Sequence, residues 1–170
     1  VLGWMGAAIA QEKHAAGPAD AVAVMHPLGD SKVRGVVRFH QDGQKVKVTA
    51  QIEGLEPNSK HAIHIHEYGD CTAPDGTSAG GHYNPGGHEH GLPTQDKRHA
   101  GDFGNLQADA QGKATLDLTV DNITIAGQEA PIIGRAIIVH AKADDGSQPT
   151  GNAGGRIACG VIGYAQPPKK

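Results

Sequence analysis

A chain of 170 residues with 38% hydrophobic content is sized for one domain around one core. Its 25 glycines, 11 histidines and only 4% aromatic residues describe tight turns and a core of small aliphatic side chains, which favours an all-β fold. The formal net charge of -3, with no basic run beyond Lys169 and Lys170, argues against nucleic acid as a partner, and an anionic substrate would have to be drawn in by local positive charge.

The first ten residues, VLGWMGAAIA, are apolar and close on Ala8, Ile9 and Ala10, the small-residue pattern of a secretory cleavage site that would leave Gln11 at the start of the exported chain. Residues 1–20 are therefore read as a signal-peptide remnant and linker, 21–165 as the folded domain and 166–170 as a tail, with a periplasmic or extracellular destination. No stretch approaches the roughly 18 apolar residues that span a bilayer, so no stable membrane insertion is expected.

Eight strands are predicted, near 21–26, 33–40, 45–53, 61–67, 103–108, 114–120, 136–141 and 156–162. The clearest is 45–53, where Val46, Val48, Ala50 and Ile52 alternate with Lys47, Thr49, Gln51 and Glu53. Asp42 and Gly43 form the turn before it. No segment keeps a helical period, and short strands at close spacing suggest a sandwich or barrel. Two stretches, 68–102 and 142–155, are long and rich in Gly and Pro; loops of that length in a compact domain are functional or disordered.

The histidines separate those alternatives. His64 and His66, at i and i+2, project from one sheet face while Ile63 and Ile65 point into the core, a rigid pair of candidate metal ligands. The long loop adds His82, His88, His90, His99 and Asp102, and three imidazoles with a carboxylate suit a closed, four-coordinate zinc site. The sequence spacing of these residues requires the loop to wrap its ion, which would supply the ordering energy that a Gly-rich segment lacks. His140 alone would read as an edge histidine. Cys71 and Cys159, far apart in the chain, are a pair that an exported protein could oxidise, with two buried thiols as the alternative.

HAIHIHEYGD (61–70), GGHYNP (80–85), HGLP (90–93), RHAGDFGNL (98–106), IIGRAIIVHAKADD (132–145) and GNAGGRIACGVIG (151–163) together resemble the copper, zinc superoxide dismutases, in one colinear order from about Ala21 to Gly163. The resemblance implies an eight-stranded Greek-key β-barrel, of immunoglobulin-like sandwich architecture, with two long functional loops. It implies copper ligands at His64, His66, His82 and His140, and zinc ligands at His82, His90, His99 and Asp102, with His82 bridging the two ions. Arg156 matches the guanidinium that holds superoxide beside copper, and it stays charged at any working pH. Asp144 matches a carboxylate that hydrogen-bonds the outer nitrogens of His64 and His90. Cys71 and Cys159 match the family's intrachain disulfide. The implied reaction converts two superoxide anions to oxygen and hydrogen peroxide as copper cycles between Cu(II) and Cu(I), with His82 relaying a proton and zinc structural.

Departures from the family pattern are local. Residues 146–150, GSQPT, form a short loop without Lys or Glu, so substrate attraction would rest on Arg156 and the metals. Ala141 stands where many relatives carry an acid, a change expected to be minor. Cys71 lies only five residues after His66, as in exported bacterial members, and because the family's dimer contacts use this region a homodimer is left open. His88 is extra, either solvated or a competing ligand. The competing reading is a non-catalytic copper or zinc binding or delivery module, disfavoured by Arg156 and by the lack of a further thiol pair. A zinc hydrolase lacks HExxH, and neither GTSAGG (76–81) nor GNAGGR (151–156) has the lysine of a phosphate-binding loop.

Overall fold

The computed structural model describes residues 19–166; the signal-peptide reading and the tail from 167 onward lie outside them. Eight strands, β1 (Asp20–Pro27), β2 (Arg34–Asp42), β3 (Lys45–Glu53), β4 (Lys60–His66), β5 (Asp102–Gln107), β6 (Ala114–Val120), β7 (Ala136–His140) and β8 (Arg156–Tyr164), pair antiparallel in the order β5-β4-β7-β8-β1-β2-β3-β6. The two edge strands, β5 and β6, lie side by side and nearly close the barrel. The non-sequential neighbours β3–β6 and β4–β7 give the Greek-key crossovers. Apart from one 3-10 turn at Thr77–Ala79, no helix occurs among the described residues, and none is long and apolar enough to cross a membrane.

The expected alternation in β3 holds: Val46, Val48, Ala50 and Ile52 are buried, and Lys47 and Gln51 are exposed. The turn before it sits one residue later than the sequence suggests. Asp42 still pairs with Lys45, so the two-residue hairpin is Gly43–Gln44, and Gly43 at φ 58 takes the left-handed conformation that such a turn demands. The core is small-aliphatic, with Met25, Val37, Ile63, Ile65, Leu106, Ile137 and Ile162 around the tilted pair Phe39 and Phe103.

β4 and β7 position the site. Ile63, Ile65, Ile137 and Val139 face the main core, whereas His64, His66 and His140 take the opposite face of the same strands. That face points away from the core but not into water: His64 is 0% and His66 1% exposed, because the two long loops fold over it. Beneath one of them, the Cys71–Cys159 disulfide packs with Leu28, Ala79, Ala136 and Ile138 in a second apolar cluster.

Candidate metal centre

Strand register brings the candidate ligands together. His64 pairs across to Asp102 at the start of β5, His140 pairs with Arg156 at the start of β8, and an isolated bridge joins His66 to His82. The loop carrying His82 returns along β4 as an extra rung, with the Tyr83 N–H donating to the Ile65 carbonyl at 2.8 Å and the Ile65 N–H to Gly101 at 2.9 Å.

Two four-residue sets of donor atoms result, each within 4.8 Å of one another: His64, His66, His82 and His140, and His82, His90, His99 and Asp102; a third group, His64, His90 and Asp144, links them. All seven side chains of the two four-residue sets are buried, and His82 alone belongs to both. In the second set, Asp102 Oδ1 lies 3.0 Å from His82 Nδ1 and 3.3 Å from His99 Nδ1, Asp102 Oδ2 lies 3.0 Å from His90 Nδ1, and the His82 and His99 Nδ1 atoms are 3.4 Å apart. A tetrahedron with bonds of about 2.0 to 2.1 Å has edges of about 3.3 to 3.4 Å, so the 3.3 and 3.4 Å separations made by His99 fit donors sharing one zinc-sized ion, and the 3.0 Å separation of His82 from Asp102 Oδ1 is somewhat tighter. In the first set His66 Nε2 and His140 Nε2 are 3.3 Å apart.

The buried Nδ1 atoms of His64 and His90 have no hydrogen-bond partner among the described residues, and the close approach of His90 Nδ1 to Asp102 is misaligned for one. A buried ring nitrogen without a partner is costly unless something else is bound there. The outward nitrogens of His64, His66, His90 and His140, by contrast, are engaged. His64 Nε2 and His90 Nε2 each meet one oxygen of Asp144 at 2.9 Å, His66 Nδ1 meets the Gly80 carbonyl at 3.0 Å and His140 Nδ1 the Gly154 carbonyl at 3.2 Å. These contacts fix each tautomer so that the free lone pair points inward.

Burial pushes His64 down to about 4, His66 to about 2 and His140 to about 3, so all three are neutral and ready to ligate at neutral pH. Burial likewise lowers His99. For Asp102 and Asp144 burial alone would favour the protonated acid, but hydrogen bonds from His82 and Gly91 to the first, and from His64, His90 and Gly146 to the second, outweigh it and hold both below the usual carboxylate range.

Over the first set opens a cavity of about 370 Å³ lined by His66, His82, His140, Thr150, Asn152 and Arg156, among others. Arg156 is anchored at 2.6 Å from both the Gly76 and Gly80 carbonyls. Those two bonds leave other N–H groups of the fork to meet an anion. Partial burial lowers its pKa against the opposing pull of Asp75, yet a guanidinium starts so far above neutral that the group stays charged.

The structure brings these residues and Asp144 together in one constellation, and Cys71 and Cys159 are bonded. His88 is not part of it; it is exposed and lies outside both sets. Contributors that sequence reasoning missed include two beside the arms of His140 and Asp144. The His61 ring, buried at 3% exposure, lies 2.9 Å from the His140 carbonyl and 2.6 Å from the Ser59 hydroxyl, and the Asn105 amide spans the main chain of Asp144 with bonds of 2.9 and 2.7 Å. His61 sits within HAIHIH, where a third histidine of opposite parity was the available signal; nothing in the sequence marks Asn105.

Residues 33–162 match the family model for copper/zinc superoxide dismutase. The chain is 48% identical over 157 residues to a Cu-Zn superoxide dismutase of Paramecium bursaria Chlorella virus 1, covering 88% of this chain and 80% of that protein. It is 46% identical over 154 residues to one of Humicola lutea and 46% over 155 residues to one of Neurospora crassa, each covered to 98%. Fold, paired donor sets and these likenesses agree: the chain belongs to the copper/zinc superoxide dismutase family.

Proposed function

We propose that the chain is an exported superoxide dismutase, holding copper at His64, His66, His82 and His140 and zinc at His82, His90, His99 and Asp102. The observation that carries this reading is His82, shared by two buried donor sets, one of which opens on a cavity walled by a charged guanidinium. When bound, copper supplies the one-electron couple that turns two superoxide anions and two protons into oxygen and hydrogen peroxide, while redox-inert zinc supplies charge and shape.

The chain's own residues do the rest. Arg156 binds and orients the anion beside His66 and His140, which a cation on a fixed fork does better than a mobile ammonium. His82 keeps Nδ1 among the zinc-side donors, 3.0 Å from Asp102, and can hold and release a proton at Nε2. The cavity readily admits an anion of two atoms.

Metal analysis joined to a superoxide-consumption assay on the wild type and His140→Ala tests the reading. The variant should lose copper and activity together; full turnover without copper overturns the assignment. The disulfide between Cys71 and Cys159 supports export, since such bonds persist in oxidising compartments, and compartment fractionation tests it. A homodimer is supported by the exposed Val24, Tyr68, Val161 and Tyr164: β1 and β8 are neighbours, and Gly69, next to Tyr68, abuts Val161. Val161→Glu should shift the sedimentation mass to that of a monomer, whereas a wild-type monomer at micromolar concentration refutes the dimer.

A further inference from the structure

The short loop 146–150 lacks charge, yet it is tightly built. Asp145 Oδ1 accepts from the Ser147 N–H at 2.9 Å and hydroxyl at 2.6 Å, and Asp145 Oδ2 accepts from Asn152 Nδ2 at 3.0 Å. The Gly151 N–H donates to the Ser147 carbonyl at 2.7 Å, and the Asp145 N–H donates to Gly151 at 3.0 Å. From this closed turn the Gln148 amide reaches a residue 58 positions away in the chain: its Oε1 accepts from the His90 N–H at 3.0 Å and its Nε2 donates to the His90 carbonyl at 2.8 Å.

No hydrogen bond to another main-chain group fixes His90 among the described residues, and it lies in no strand or helix. Gln148 therefore supplies, with one side chain, the paired donor and acceptor that a neighbouring strand would supply. Two bonds to one residue's main chain restrict both its translation and its rotation. The His90 ring is held from the other end by Asp144, whose own main chain is spanned by Asn105.

We propose that Gln148 is a positioning residue for His90 and, through it, for the zinc ion; this rests on the reading of His90 as a zinc ligand. A residue in the loop beside the substrate cavity thereby sets how firmly the zinc arm is held. Only an amide of this length both accepts and donates across the gap. Glutamate would keep the bond from the N–H and lose the one to the carbonyl.

The test measures zinc affinity by chelator competition, and the visible spectrum of cobalt at the zinc site, for holoenzyme carrying Gln148→Ala, Gln148→Glu or His90→Ala. Gln148→Ala should weaken zinc binding by about 10- to 100-fold, the range typical of lost outer contacts to a metal ligand, with an altered cobalt spectrum and copper retained. Gln148→Glu should fall between Ala and wild type. Zinc affinity within twofold of wild type in Gln148→Ala, while His90→Ala loses zinc, overturns the positioning role alone. Unchanged zinc affinity in His90→Ala overturns the ligand reading on which it rests.

Discussion

Asp144 carries more of the site than any ligand does, because each of its oxygens holds a histidine from a different donor set. Asp144→Ala leaves two buried rings without their outer partners, and both metals should bind about 10- to 100-fold more weakly, read by metal analysis after dialysis against a chelator. Gly151 guards the same contact. Its φ of 74 disfavours any side chain, and a Cβ there would collide with Asp144 Oδ1 and sit 2.8 Å from His90 Nε2. For Arg156→Ala, copper should be retained and turnover should fall at least tenfold, with Arg156→Lys in between because charge survives and the fork does not; wild-type turnover in the alanine variant removes the assigned role. The ligands were legible because ligand chemistry restricts residue type and the motifs recur as short words. Gln148, Asn105 and His61 were not, since amides and buried histidines bonded to main chain have no sequence signature until the fold brings distant segments together.

Among the elements, β3 and β6 match their predicted bounds, and the others end within one or two residues of expectation. Alternation locates a strand's middle, but its ends depend on where neighbouring strands stop, which one strand's residues do not encode. The histidine face of β4 is roofed by loops, which the alternation could not reveal, because a period of two reports which side a residue takes and not what covers that side. The apolar side is the stabilising one: Phe103→Ala should remove the packing against Phe39 and lower unfolding free energy by about 3 to 5 kcal/mol in urea titration. The disulfide closes a segment of 88 residues and, in the chain-entropy model, contributes about 4 to 5 kcal/mol. Replacing both cysteines by serine should lower the melting temperature, and it should also loosen the loop whose Gly76 and Gly80 carbonyls hold Arg156.

Across the whole molecule, the buried histidines make metal-free stability depend on pH. His64, His66 and His140, lowered to about 4, 2 and 3 from 6.5, stay neutral when folded but take up protons when unfolded below about pH 6.5. The unfolded state then binds more protons, so stability is full above that pH and is lost as pH falls, by at most about 1.4 kcal/mol per pH unit for each group. The depressed carboxylates Asp102 and Asp144 act only lower, below about 3.8. The urea midpoint of metal-free protein should therefore drop between pH 7 and pH 5, and a flat profile would contradict neutral burial. Loading with both ions should raise the midpoint at pH 7, since only the folded chain assembles the two donor sets. Because one side of β4 and β7 seals the barrel interior while the other carries the imidazoles, the two sides can be redesigned with different residues: repacking isoleucines tunes the metal-free chassis, and exchanging histidines rewires the electrochemistry together with the robustness that bound ions add.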